Sequence, residues 1–159
     1  MKVIVSDMWQ EQGLADVILI TTNQIINSKG ALVMGRGAAL EAARRYPALP
    51  YDLAKRIQPY GNKPYGVTIL APYSHSKQLQ FGAFQVKHHW KDKASLELIE
   101  FSTRLLEAIA RICSHTRFMI NYPGIGNGGL TESQVAPIIK SLPDNVYVYK
   151  LPYKESNAD

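Results

Sequence analysis

Two glycine-rich stretches carry the residue types from which a phosphate site is built: Met34-Gly35-Arg36-Gly37-Ala38-Ala39 and Gly124-Ile125-Gly126-Asn127-Gly128-Gly129-Leu130. The first leads from a polar loop into an alanine-rich helix. Its glycines let the backbone approach a ligand where a helix start offers unpaired N–H groups and partial positive charge. The second follows a strand and precedes another helix. If the strands before them run parallel, both loops lie at one edge of the sheet and clamp a diphosphate. The plainer reading is that the glycines only shape turns into helices. A third group, Lys87-His88-His89-Trp90, brings an amine, two imidazoles and an indole to a strand end.

The second loop contains G-x-G-x-x-G at Gly124, Gly126 and Gly129, the dinucleotide fingerprint. A dinucleotide-binding unit would follow it with a further strand ending in Asp or Glu, whereas only the strand over 146–149 follows and no acid ends it. Phosphate binding is therefore expected without that fold. No GxxxxGK[ST] run occurs. His88 and His89 are adjacent on a strand, a poor chelate geometry, so neither metal nor cofactor is expected.

The elements that position these groups follow from hydrophobic period. Residues 2–6 alternate around Val3, Ile4 and Val5 as a first strand with Asp7 at its end, and 16–21 is a continuous apolar run of the kind buried on both faces. A helix is expected over 37–46, stopped by Pro47, and a short one over 50–58 with Pro50 near its start. Residues 65–71 and 79–86 are expected as paired strands joined by the polar segment 72–78. Apolar residues at Leu96, Ile99, Leu105, Leu106, Ile109 and Ile112 predict the longest helix, over 92–114, with Cys113 in the core. Strands over 117–121 and 145–150 bracket a helix over 131–141, where Thr131 and Gln134 fit a capping box. Strands interleaved with helices predict a three-layer α/β domain with a mixed or largely parallel sheet of six strands. Ligands of such sheets sit beyond the carboxyl ends of the strands.

The chain of 159 residues is expected to form one domain over 1–153, with a loose polar tail over 154–159. A single cysteine excludes a disulfide framework and a Cys-rich metal site, and suits a reducing interior. The apolar run near the N-terminus is too short for a signal peptide, and no stretch approaches the ~20 apolar residues of a membrane span. A cytoplasmic protein without a membrane partner is expected. The formal charge of +5, from 18 Lys and Arg against 13 Asp and Glu, permits a polyanionic partner without requiring one.

Together these residues resemble a macrodomain, the ADP-ribose-binding module, over nearly the whole chain. Ser6-Asp7-Met8 resembles the Gly-Asp-Ile after that family's first strand, and ADVILITTN resembles its Asp-Ala-Ile-Val-Asn-x-x-Asn strand. MGRGAAL and GIGNGGL resemble its two glycine loops. Within the superfamily, VMGRGAALEAARRYP, FQVKHHW and NGGL are similar to one branch. That branch holds the human terminal ADP-ribose protein glycohydrolase and the bacterial antitoxins that remove ADP-ribose from DNA.

The resemblance implies a three-layer α/β/α macrodomain fold and a residue-by-residue site. Asp7 would accept from the adenine amino group with Met8 beside the base, and Asn23 would approach the distal ribose. Gly35, Arg36, Gly37 and Ala38 would line one side of the diphosphate. Gly124, Ile125, Gly126, Asn127, Gly128 and Gly129 would close over the phosphates and distal ribose, chiefly through backbone N–H groups. Lys87 falls where the branch keeps a lysine that engages the anomeric carbon of ADP-ribose. An amine there, once it has lost its proton, attacks the sugar or its ring-opened aldehyde and forms a transient imine. His88 and His89 are candidates to handle that proton. The bland alternative for Lys87 is a solvated lysine at a strand end. Trp90 suits stacking on an unpaired base, with Lys91 and Lys93 near phosphate. A plug in the core is the commoner fate of a tryptophan after a strand.

Two departures bear on this reading. The protein-directed enzyme of the branch pairs its lysine with an acid in the second glycine loop, and 124–131 holds none. The Asn-Gly-Gly-Leu form is closer to the DNA-directed antitoxins. The loop over 24–33 is longer than is usual in the branch, so Asn27 stands as an alternative to Asn23. The expectation is an ADP-ribosylglycohydrolase that acts on a nucleobase in DNA. Its partners would be ADP-ribosylated DNA or protein and a cognate ADP-ribosyltransferase. A non-catalytic ADP-ribose reader, a phosphatase acting on ADP-ribose 1″-phosphate and a glutamate-directed protein hydrolase remain open beside it.

Overall fold

The computed structural model describes residues 1–72 and 79–152. The expected tail over 154–159, and the connector beyond Pro72, lie outside the described residues. Six strands form one sheet: β1 (Lys2–Val5), β2 (Val17–Thr22), β3 (Val67–Ile69), β4 (Gln80–Gln85), β5 (Phe118–Asn121) and β6 (Val146–Lys150). Their spatial order is β1-β6-β5-β2-β4-β3. All neighbours pair parallel except β3 with β4, the two strands expected to pair.

Helices α1 (Ala38–Arg45) and α2 (Leu49–Ile57) cover one face, and α3 (Leu96–Ile112) and α4 (Glu132–Ile139) the other. Strand alternation explains this division, since successive side chains leave a strand on opposite faces. Ile18, Ile20, Phe81 and Ala83 pack with Ala42, Leu53 and Ile57 of the first pair. Val17, Leu19, Phe84 and Ile120 pack with Ile99, Leu106 and Val135 of the second. Because β2 is buried from both sides, its sequence has no polar alternation. Gly82 in β4 is demanded by this packing. A β-carbon there would stand 2.4 Å from the Thr68 carbonyl oxygen and 2.7 Å from a Leu19 methyl.

The longest helix is shorter than its period predicts and buries a different stripe. Ser95 starts it by accepting from the Leu98 N–H at 3.3 Å. The buried positions are Ile99, Ser102, Thr103, Leu106 and Ala110, whereas Leu96, Leu105 and Ile112 stay exposed. Ser102 sits on the inward stripe because it donates to the Gln85 carbonyl at 2.7 Å, which satisfies its hydroxyl. Leu105 and Phe101 instead close over Gly66, where a β-carbon would lie 2.4 Å from Leu105 and 2.9 Å from Phe101. Cys113 is exposed rather than core, since the last turn of α3 has passed the sheet and leaves Ile112 84% exposed.

The expected capping box is formed: Thr131 and Gln134 exchange side-chain to backbone hydrogen bonds at the start of α4. Asn145, expected as the first residue of the last strand, lies just before it. Its side-chain amide donates to the carbonyls of Ala110, Cys113 and Thr116 at 2.9 to 3.0 Å, tying the end of α3 to the entry of β6. Asn145→Ala should lower stability by about 1–2 kcal/mol, read as a fall in the urea midpoint at unchanged slope.

Candidate functional site

The carboxyl ends of the parallel strands β1, β2, β4, β5 and β6 open into one cleft of about 1380 Å³. This is the edge where an α/β sheet collects a ligand, because each strand hands its chain to a loop there. Both glycine loops line it, one entering α1 and the other leaving β5 for α4.

In the first loop, Gly37 caps α1 with φ +64° and ψ −135°, a conformation open to glycine. The N–H groups of Gly37, Ala38 and Ala39 have no protein acceptor among the described residues. In the second loop, the N–H groups of Gly128 and Gly129 close a tight turn onto the carbonyls of Ile125 and Gly126. Those of Gly126 and Asn127 have no protein acceptor among the described residues. The two loops meet: a β-carbon on Gly37 would lie 3.1 Å from the Asn127 side-chain nitrogen. Gly35, Arg36, Gly124, Ile125 and Gly128 complete the lining, whereas Gly129, at φ +76°, turns the chain away against the Lys93 stem.

At one end of the cleft, Asp7 caps the single turn Met8–Gln10 by accepting from the Trp9 N–H at 2.9 Å through Oδ1. Met8 and Trp9 are buried, and the Arg45 guanidinium lies 5.1 Å over the Trp9 ring. Just past β2, Asn23 lines the cleft but is tied at both ends of its amide. It donates to the Val33 carbonyl at 2.7 Å and accepts from the Ile25 N–H at 2.8 Å, holding the loop that follows. The Tyr65 hydroxyl donates to the Asn23 carbonyl at 2.7 Å and accepts from Thr22. Asn27 accepts from Lys29 and Ala31 within its own turn and does not line the cleft.

At the other end, Lys87 is half-buried, and its ammonium donates to the carbonyls of Trp90 at 3.3 Å and Asp92 at 3.2 Å. Neither His88 nor His89 lines the cleft. Gln24 donates through its nitrogen to the carbonyls of Gly61 and Lys63, so its oxygen is the acceptor facing Gln85 at 3.0 Å and His88 Nδ1 at 2.9 Å. His88 therefore donates through Nδ1 and pins the segment from behind. His89 Nδ1 accepts from the Lys91 N–H at 3.1 Å. Trp90 is 41% exposed at the cleft, not a core plug, because the tight turn after β4 carries it outward.

Gln85 organises this end. Fully buried, it accepts from the N–H groups of Tyr65 and Gly66 at 3.0 and 3.1 Å while donating to Gln24. Gln85→Leu should strand two buried N–H groups and cost about 2–4 kcal/mol, measured by denaturant unfolding.

Several lining residues escaped the sequence reading. Thr21 and Asn121, at the ends of β2 and β5, exchange two hydrogen bonds at 3.0 and 2.7 Å and lock the strand ends side by side. Burial, then the Glu132 charge, pushes the Tyr122 phenol up; burial, then the Glu11 charge and hydrogen bond, pushes Tyr149 up to about 12. Both rings thus keep their protons at neutral pH. Glu132 and Lys150 line the cleft as an ion pair at 3.0 Å. Their common signal was position: each lies at or just past an element end on the same sheet edge. Among the described residues no three His, Cys, Asp or Glu side chains gather as metal ligands, and no helix is long and apolar enough to cross a membrane.

No family model matches the sequence, and no curated protein matches it. Solved structures do match in fold. Thermosipho africanus DarTG, in complex with ADP-ribose, superposes with TM-score 0.77 at 19% identity over 97% of this chain, which spans 42% of that protein. The macrodomain of Mycobacterium tuberculosis DarG gives 0.74 at 22% identity, covering 96% of this chain and 97% of that one. The macrodomain of Thermus aquaticus DarG gives 0.71 at 21%, with the same coverages of 96% and 97%. The mixed six-stranded sheet between two helix pairs, with its cleft at the strand ends, is the macrodomain fold.

Proposed function

We propose that the cleft binds ADP-ribose and that the protein hydrolytically removes ADP-ribose from a modified macromolecule, with a nucleobase in DNA as favoured acceptor. The observation that carries the binding reading is the pair of facing loops whose N–H groups, at 37–39 and 126–127, have no protein acceptor among the described residues. Unclaimed amides at a helix start and in a glycine nest suit a diphosphate. ADP-ribose is the ligand named for the DarTG structure of the same fold.

In this reading Asp7 accepts from the adenine amino group through the oxygen not used on Trp9, and Met8 lies along the base. Gly35, Arg36, Gly37 and Ala38 flank the diphosphate opposite Gly124 through Gly128. Asn23 approaches the distal ribose from the β2 end. The Lys87 amine, released from its two carbonyls and deprotonated, adds to the anomeric carbon. The bond from that carbon to the base nitrogen breaks and the base leaves with the proton taken from the amine. The ring opens to an imine, which water hydrolyses to free ADP-ribose and the amine. An ADP-ribosyltransferase must supply the substrate, and is the cognate partner.

A non-catalytic reader is favoured by one observation, the two hydrogen bonds that occupy the Lys87 ammonium. Glutamate-directed hydrolysis has less support, since the acid that follows the second loop in sequence, Glu132, is paired with Lys150. The test is chromatographic release of ADP-ribose from ADP-ribosylated single-stranded DNA and from glutamate-modified protein in parallel. Release from DNA alone is expected. Release from protein alone would move the activity to the other acceptor, and binding without release from either would leave the reader.

A further inference from the structure

Trp90 is a large aromatic ring left 41% exposed where it borders the cleft, with Lys87 within its own tight turn. We infer that its indole is the acceptor subsite, a shelf on which an unpaired nucleobase of the modified strand stacks while Lys91 meets the strand's phosphates. The inference rests on the ADP-ribose reading of the cleft.

Placement is the first argument. The Trp90 carbonyl accepts from the Lys87 ammonium at 3.3 Å, so the indole is carried by the residue that touches the amine. The group departing from the anomeric carbon leaves the sugar at that end of the cleft.

Preorganisation is the second. The segment is hung from the sheet by the Gln24 N–H to the His88 carbonyl at 3.0 Å and by the His88 ring on Gln24. It is closed on itself by the His89 N–H to the Asp92 carboxylate at 3.3 Å and by the Lys91 N–H to His89 at 3.1 Å. A platform fixed before binding loses little freedom on binding.

Charge and surface chemistry are the third. The Lys91 ammonium lies 5.0 Å from the Trp90 ring centroid, and the His89 ring lies 5.2 Å away, tilted by 30°. Aromatic faces beside cations are the components with which single-stranded nucleic acid is held, each base stacking on a ring and its phosphate meeting a lysine. In sequence, Lys87, Lys91 and Lys93 flank one acid, Asp92, whose carboxylate already accepts from the His89 N–H. A base stacked inside a duplex cannot reach such a shelf, so the strand is single or its base is extruded, at an unstacking cost that is least for a single strand.

The experiment compares wild type, Trp90→Ala and Trp90→Phe on three readouts. These are affinity for free ADP-ribose, affinity for an ADP-ribosylated single-stranded oligonucleotide measured at early times by anisotropy, and KM for ADP-ribose release from it. Trp90→Ala should weaken oligonucleotide binding and raise KM by about tenfold, leave free ADP-ribose affinity within about twofold, and be largely rescued by phenylalanine. If wild type releases no ADP-ribose yet binds the modified oligonucleotide more tightly than ADP-ribose, and Trp90→Ala removes that increment, the hydrolase reading falls and the shelf stands. An increment unchanged by Trp90→Ala, or no increment in wild type, overturns the shelf. Equal losses on free ADP-ribose and on the oligonucleotide overturn it too, by placing the indole in the ADP-ribose pocket.

Discussion

Lys87→Ala should abolish ADP-ribose release from modified DNA, by about a thousandfold or more, while ADP-ribose affinity stays within about threefold. The separation follows from where the ammonium sits. Its two hydrogen bonds go to the carbonyls of Trp90 and Asp92 on its own loop, and both bonds are exposed. Water can replace the ammonium at those carbonyls, so truncation should cost little stability. The buried anchors of the segment, Gln24 and Gln85, are untouched by the change.

Lys87→Arg distinguishes the ways a lysine can act. Arginine keeps the positive charge but stays protonated, so it cannot form an imine. Loss of rate in both variants, with a borohydride-trapped adduct on Lys87 only in the wild type, supports covalent chemistry. Retained rate in Lys87→Arg would restrict the residue to electrostatic stabilisation. Retained rate in Lys87→Ala would remove it from the mechanism.

The second large effect is expected at Gly37→Val, which should weaken ADP-ribose binding by about a hundredfold or more, as measured by calorimetry. Two costs coincide there. The backbone stands at φ +64° and ψ −135°, where a β-branched side chain is strained by about 1–3 kcal/mol. The new β-carbon also meets Asn127 at 3.1 Å, pushing apart the two loops whose N–H groups at 37–39 and 126–127 have no protein acceptor among the described residues. Gly61→Val is the control. Its φ of +59° imposes comparable strain, but it lies off the cleft and a β-carbon there meets nothing within 4 Å. It should lower the denaturation midpoint and leave binding intact. Equal losses of binding in the two variants would assign the effect to folding, and unaltered binding in Gly37→Val would refute the cradle.

The strands, the helices and their order were legible from local sequence, with shifted bounds such as those of α3. Strand β2 was legible because burial on both faces leaves a continuous apolar run, and α4 because Thr131 and Gln134 satisfy each other's backbone locally. The glycine loops were legible because the backbone conformations at Gly37, Gly124, Gly126 and Gly129 have positive φ, where few other residue types fit. These are local constraints, written within a few residues of where they act.

Other features depend on contacts between distant segments. That Ser102 rather than Leu105 faces inward on α3 follows from a carbonyl on β4, and that Leu105 is needed outside follows from Gly66. That His88 is an anchor rather than a cleft residue follows from Gln24, 64 positions away, whose amide is oriented by carbonyls at 61 and 63. Asn23 was legible at the end of its strand, but not that both ends of its amide hold the next loop. The exposure of Trp90 and the partnership of Thr21 with Asn121 arose only when parallel strands brought their carboxyl ends to one edge. Periodicity records which side of an element is apolar, whereas a polar side chain's partner is fixed by the packing of other elements around it.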